Sequence, residues 1–128
     1  VALVALFAGC GGDGLYHLSG KVTFNGQAIP EGYIVFEPDG SKGNTGQSGR
    51  STIRDGEYDT SDADGMAVVG GPHVIRVVAH SEPINPDVAV GGEVVMPPLM
   101  FPPYTFNQDL PLKDAVVDFE IPAEAAKK

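Results

Sequence analysis

"GKVTFNGQAIPEGYIVFEPDG", residues 20–40, is the stretch on which the fold turns. With the two residues before it, it places Leu18, Val22 and Phe24 on one parity and Ser19, Lys21 and Thr23 on the other. Successive side chains leave a pleated strand on opposite sides, so alternation of this kind marks a strand with one buried face. Asn25-Gly26 interrupts the pattern, and both residues tolerate the positive φ that a tight hairpin turn demands. Alternation resumes with Ile34 and Phe36 on one face and Tyr33, Val35 and Glu37 on the other, until Pro38-Asp39-Gly40 ends it. The opening therefore predicts two strands around an Asn-Gly turn.

The same period recurs outward from there. Residues 50–60 predict a short hairpin pivoting on Asp55-Gly56, with Ile53 and Tyr58 inward. Residues 73–80 place Ile75, Val77 and Ala79 on one face, and residues 115–122 place Val117, Phe119 and Ile121 inward with Asp118 and Glu120 outward. Between them, 40–49 predicts a mobile glycine-rich loop, and 61–72 a second loop with a short strand near 66–69. Residues 81–112 hold seven of the eleven prolines. Proline cannot donate to a sheet ladder, so this predicts a long connection. Its Val94, Val95, Met96, Leu99, Met100, Phe101, Tyr104 and Phe106 imply that part of it packs along the edge of the fold. No helical period or internal repeat occurs. Six or seven short strands separated by turn signals predict an all-β fold, an antiparallel Ig-like β-sandwich spanning 15–122, with 123–128 a tail too short to matter.

The chain opens "VALVALFAGCGGDG". Residues 1–9 are apolar or glycine, too few to cross a bilayer as a helix, which takes roughly 20 residues. They fit the later part of a secretory h-region of about 7–15 residues. Without Met or a basic n-region before it, this segment is expected to be the remnant of a longer signal peptide. Phe7-Ala8-Gly9-Cys10 resembles a bacterial lipobox, with Phe7 where Leu, Val or Ile is usual; Cys10 would carry the lipid, and 10–14 would be a Gly-rich tether. A single cysteine excludes an intrachain disulfide. Two or more acyl chains would anchor the protein stably.

Seventeen acidic against eight basic residues give a formal net charge of −9. That balance disfavours nucleic acid, whose phosphates need a basic footprint, and disfavours electrostatic adsorption to anionic lipid. The membrane would be held through the N-terminal lipid rather than through surface charge.

"GKVTFNGQAIPEGYIVFEPDG", "IRDGEYDT", "GPHVIRVVAH" and "FPPYTFNQDLPL…VVDFEIP" resemble the carboxypeptidase-regulatory-like, transthyretin-like domains, and within them small lipoproteins of the planctomycete type. The resemblance covers 18–122 and implies a transthyretin-like sandwich topology. Where the family usually has a corner tyrosine at the start of a strand, this chain has His73. The fold's enzymatic branch, which hydrolyses 5-hydroxyisourate, ends in Tyr-Arg-Gly-Ser. This chain ends Ala-Ala-Lys-Lys, so that activity is not implied.

Chemistry-bearing constellations are sparse. "GQSGR" at 46–50 misses the nucleophile elbow, because Arg50 stands where glycine is required, leaving Ser48 a loop serine. His73 and His80 are seven apart and point to opposite faces of one strand, so with His17 they do not share a zinc ion. Asp59, Asp62 and Asp64 offer hard oxygen ligands beside Gly65, a candidate calcium turn without the bidentate glutamate an EF-hand needs. With no tryptophan and 8% aromatic residues, a sugar platform would fall to Tyr33 and Tyr104, with Tyr16 near them. The expectation is a non-enzymatic, exported, lipid-anchored cell-envelope module with no resident cofactor, binding an envelope protein or glycan through the 81–112 loop. The alternative is a cation- or carbohydrate-binding module at the cell surface, with calcium as the ion.

Overall fold

The structure is a computed structural model, and it describes residues 15–126. Strand β1 (Leu18–Phe24) follows the expected parity: Leu18 and Val22 are buried, and Phe24 is partly buried against Phe101, ring centroids 4.8 Å apart. Asn25 and Gly26 adopt φ of 52° and 81°, and β2 (Gln27–Ala28) turns back on β1. Here the expected two-strand opening is corrected. The hairpin lasts only two residues, because Ile29 is fully buried and leads the chain into a crossing. The carbonyls of Ile29 and Pro30 accept from Gly56 and Asp55, so the segment passes over the second turn. Strand β3 (Glu31–Pro38) then lies away from β1, with β5 and β4 between them.

Strand β4 (Gly49–Arg54) and β5 (Glu57–Asp59) form the expected hairpin, with Asp55 and Gly56 at φ of 52° and 77°. Ile53 and Tyr58 are buried as the parity requires. Strand β6 (Gly71–His80) pairs with β3 over eight residues and buries Ile75, Val77 and Ala79. Residues 66–69 make single bridges, Arg50 to Met66 and Tyr16 to Val68, rather than a strand. The 40–48 loop holds a 3-10 turn (Gly40–Lys42) capped by Asp39, and Asn44 donates to the carbonyls of Gly70 and Pro72.

The proline-rich connection is not all loop. Strands β7 (Ala89–Val90) and β8 (Glu93–Val94) form a separate hairpin, and β9 (Tyr104–Leu110) is a full strand antiparallel to β6. Strand β9 alternates Tyr104, Phe106, Gln108 and Leu110; the prolines on either side of it mask that period in the sequence. Strands β10 (Ala115–Val116) and β11 (Phe119–Ile121) replace the single expected last strand. Both run parallel to β1, so an otherwise antiparallel sheet is locally mixed.

Seven strands form one continuous path, β10-β1-β5-β4-β3-β6-β9, with β11 and β2 also paired to β1. The path curls, bringing β11 and β9 over a shared interior in which Phe36, Tyr58, Phe106 and Phe119 meet with ring centroids 5.8–6.0 Å apart. Each fully buried aromatic or aliphatic side chain there contributes about 1.5–3 kcal/mol by leaving water. The tail is also corrected. Its 3-10 turn (Ala123–Ala126) seats Ala125 in the core.

Strand directions define two poles. At one lie the start of β1, loop 39–48, loop 60–70 and residues 111–114; at the other lie the turns at 25–26 and 55–56, the connection after β6 and the end of β11. The chain arrives from residue 15 at the first pole. The proline-rich connection leaves at the second.

Candidate functional site

The most unusual surface is the arm that follows His80. Its base is tied down: the Ser81 N–H donates to Pro98, the Met100 N–H to Ala79, and the His80 Nδ1–H to Pro97 at 2.8 Å. Phe101 inserts into the core. Beyond the base, Gly91 and Gly92 at φ of 64° and 89° turn β7 into β8, and the Val95 N–H donates to Val88. Val88, Val90, Val94, Val95, Met96 and Leu99 remain 42–74% exposed. A two-stranded hairpin is marginally stable alone in water, and clustered exposed apolar residues mark interaction surfaces. Alternation of "AVGGEVV" around Gly-Gly is a hairpin signal in the sequence. The surrounding prolines, which cannot donate to a ladder, mask it in the sequence.

The residues singled out for binding do not gather in one place. Tyr33 is exposed on the outer face of β3, opposite Thr52 of β4. Tyr104 pairs with Val77 on the inward side and stacks near Phe106, so the two tyrosines lie on opposite faces of the sheet and share no patch. Tyr16 is bridged to Val68 near the first pole. The aspartates are likewise dispersed among local partners. Asp59 accepts from the Ser61 N–H and hydroxyl, hydrogen bonds that hold its carboxyl below the ordinary value. Asp64 accepts from the Thr52 hydroxyl at 3.0 Å and lies 4.0 Å from Arg54. Asp62 lines a groove of about 540 Å³ with Lys21, Arg54, Glu57 and Asp118. Among the described residues no three His, Cys, Asp or Glu side chains gather as a metal site.

The histidines are also separate. His73 and His80 point to opposite faces, as their spacing requires, and both are buried. Seven residues of strand separate them by about 23 Å. His73 Nδ1 donates to the Gly71 carbonyl at 2.9 Å, which leaves Nε2 as a bare acceptor in the core. His17 Nδ1 lies 3.2 Å from the Thr60 hydroxyl at the first pole.

Tyr58 is a buried titratable group of the core. Its hydroxyl donates to the Val117 carbonyl at 2.6 Å. Burial, followed by the charges of Asp118 and Asp59, pushes the phenol well above its ordinary value of 10.0. A group whose folded pKa is raised keeps its proton longer in the folded state. Stability is therefore intact below about pH 10 and falls above it by about 1.4 kcal/mol per pH unit for this group. Melting temperatures should decline from about pH 10 upward, and Tyr58→Phe should flatten that decline while losing about 1 kcal/mol at neutral pH. Parallel alkaline curves for the two proteins would contradict the assignment.

Cys10 lies outside the described residues. Among the described residues no helix is long and apolar enough to cross a membrane. In comparison with known proteins, no family model matches the chain and no curated protein matches it.

Proposed function

We propose that the chain is a non-enzymatic, lipid-anchored domain of the cell envelope, of the carboxypeptidase-regulatory-like, transthyretin-like kind, working as an interaction module through the 81–99 arm. The observation that carries this reading is the set of six exposed apolar residues on an arm whose base lies at the pole opposite residue 15. A lipid on Cys10 would tether the chain from the side of the first pole and leave the arm at the other pole accessible. The arm's acidic residues disfavour an anionic bilayer, so its occupant is read as a protein. Glu82, Asp87 and Glu93 are the arm's charged residues, and no Lys or Arg occurs between Arg76 and Lys113. A second copy would bring like charges together, so the complementary surface is an apolar groove with a basic rim.

A photo-crosslinking residue placed at Val90 in the full-length protein should give one discrete adduct in cells, while the same residue at Val116, equally exposed but off the arm, should give none. Glu82→Lys combined with Glu93→Lys should abolish the Val90 adduct without lowering the melting temperature. Equal labelling from both positions would defeat the interaction reading. Cys10→Ser should move the protein from the membrane to the soluble fraction and remove incorporation of labelled palmitate. Retention in the membrane would defeat the anchor.

A further inference from the structure

We infer that the hollow on the outer face of β3 and β4 is a binding site for a pyranose sugar ring, stacked on Tyr33 and hydrogen-bonded by Arg50, Thr52 and Asp64. The hollow measures about 520 Å³, within the roughly 300–1,000 Å³ of small-molecule sites. Cross-strand register builds its floor. Tyr33 lies directly opposite Thr52, and Val35 opposite Arg50, so all four side chains stand on the same face. The 60–66 segment supplies the wall: Met66 pairs with Arg50 through the backbone and carries Asp64 up beside Thr52.

The chemistry of the lining narrows the ligand. Tyr33 is 43% exposed and offers the electron-rich face of a ring to positively polarised C–H groups, such as the axial hydrogens of a pyranose. Around it stand a five-donor guanidinium, a carboxylate acceptor and a hydroxyl that does both, which match the alternating donor and acceptor capacity of vicinal sugar hydroxyls. Asp64 is already aimed. One oxygen accepts from Thr52 and lies 4.0 Å from Arg54, which leaves the other oxygen open to a ligand hydroxyl. Among the described residues Arg50 has no carboxylate within ion-pair distance, so its donors are uncommitted.

Charge excludes the simpler ligands. Arg50, Arg54 and Arg76, which lies opposite Val35 on β6, are matched in number by Asp64, Glu31 and Glu37 on the same outer face. A free anion would meet those acids. A calcium ion would find one carboxylate where it needs six to eight oxygens. A neutral polyol with an apolar ring face fits both the near balance of charge and the aromatic floor.

The test is an amide chemical-shift titration of the folded domain with cellotriose and, separately, chitotriose to about 20 mM, with mannitol as an open-chain polyol lacking a ring face. At least one trisaccharide should bind with a millimolar Kd and shift the amides of Tyr33, Arg50, Thr52 and Asp64, with mannitol silent. Tyr33→Ala should weaken binding about tenfold, or about 1.4 kcal/mol, whereas Tyr33→Phe should stay within about twofold. Arg50→Gln and Asp64→Asn should each weaken it about fivefold with unchanged melting temperatures. Removing the arm's hairpin should leave binding intact, which separates this site from the protein-docking reading. No shift with either trisaccharide, equal shifts with mannitol, or full affinity in Tyr33→Ala would each overturn the assignment.

Discussion

Phe36→Ala is expected to cost about 3–5 kcal/mol, a large part of the roughly 5–15 kcal/mol that holds a domain of this size together. Phe36 is fully buried on β3, and its ring meets Tyr58 of β5 at 5.9 Å and Phe119 of β11 at 6.0 Å. It therefore joins parts of the curled sheet that share no backbone hydrogen bonds. Truncation removes the burial of a large ring and also leaves a cavity whose walls are backbone-paired strands, which cannot close around it. Urea denaturation should show a lower midpoint with little change in slope. Phe36→Leu, which keeps most of the volume, should lose less than half as much. A Phe36→Ala loss below about 1.5 kcal/mol would mean that the two layers do not meet at this ring.

Gly32→Ala is expected to be comparably severe, about 3 kcal/mol or more, although it adds a single methyl group. Gly32 is buried on β3 in register with Ile53 of β4 and Ala79 of β6. A Cβ built there would stand 2.0 Å from the Val78 carbonyl oxygen. That neighbour is backbone in a paired strand and cannot rotate away, so β3 and β6 would have to separate. Gly26→Ala is a useful contrast. Its Cβ would meet no atom within 4 Å, so its cost should be only that of a positive φ, about 1 kcal/mol. Thermal melts of the two variants should differ by several degrees, with Gly32→Ala lower. Equal melts would show that the β3–β6 pair has slack at this position.

On the two proposals made above, the arm and the Tyr33 hollow would be separate recognition surfaces on one scaffold. The arm rises at the pole distant from residue 15, and the hollow lies on the outer face of the sheet. His73 is buried in the interior and His80 at the base of the arm, each with its Nδ1 already hydrogen-bonded to a carbonyl. On those proposals the sandwich would be a rigid mount for both surfaces.

Much of this was legible from residue order alone. Parity named Leu18, Val22, Ile34, Phe36, Ile53, Tyr58, Ile75, Val77, Ala79, Phe119 and Ile121 as inward residues, and all are buried, whereas Phe24 and Val117, named with them, are only partly buried. Asn25-Gly26 and Asp55-Gly56 announced their turns, since few other pairs accept positive φ at both positions. These are local properties, set by the pleat and by steric limits on single residues, and they need no knowledge of neighbours in space. What pairs with what was decided only by the tertiary structure. Strand β1 leaves its expected partner because Ile29 is drawn into the core, and β9 forms between prolines because β6 presents an open edge to it. Tyr33 and Asp64 meet because a loop folds over β4. Pairing, close approach and site assembly depend on distances between residues far apart in the chain, and a period of two carries no record of those distances.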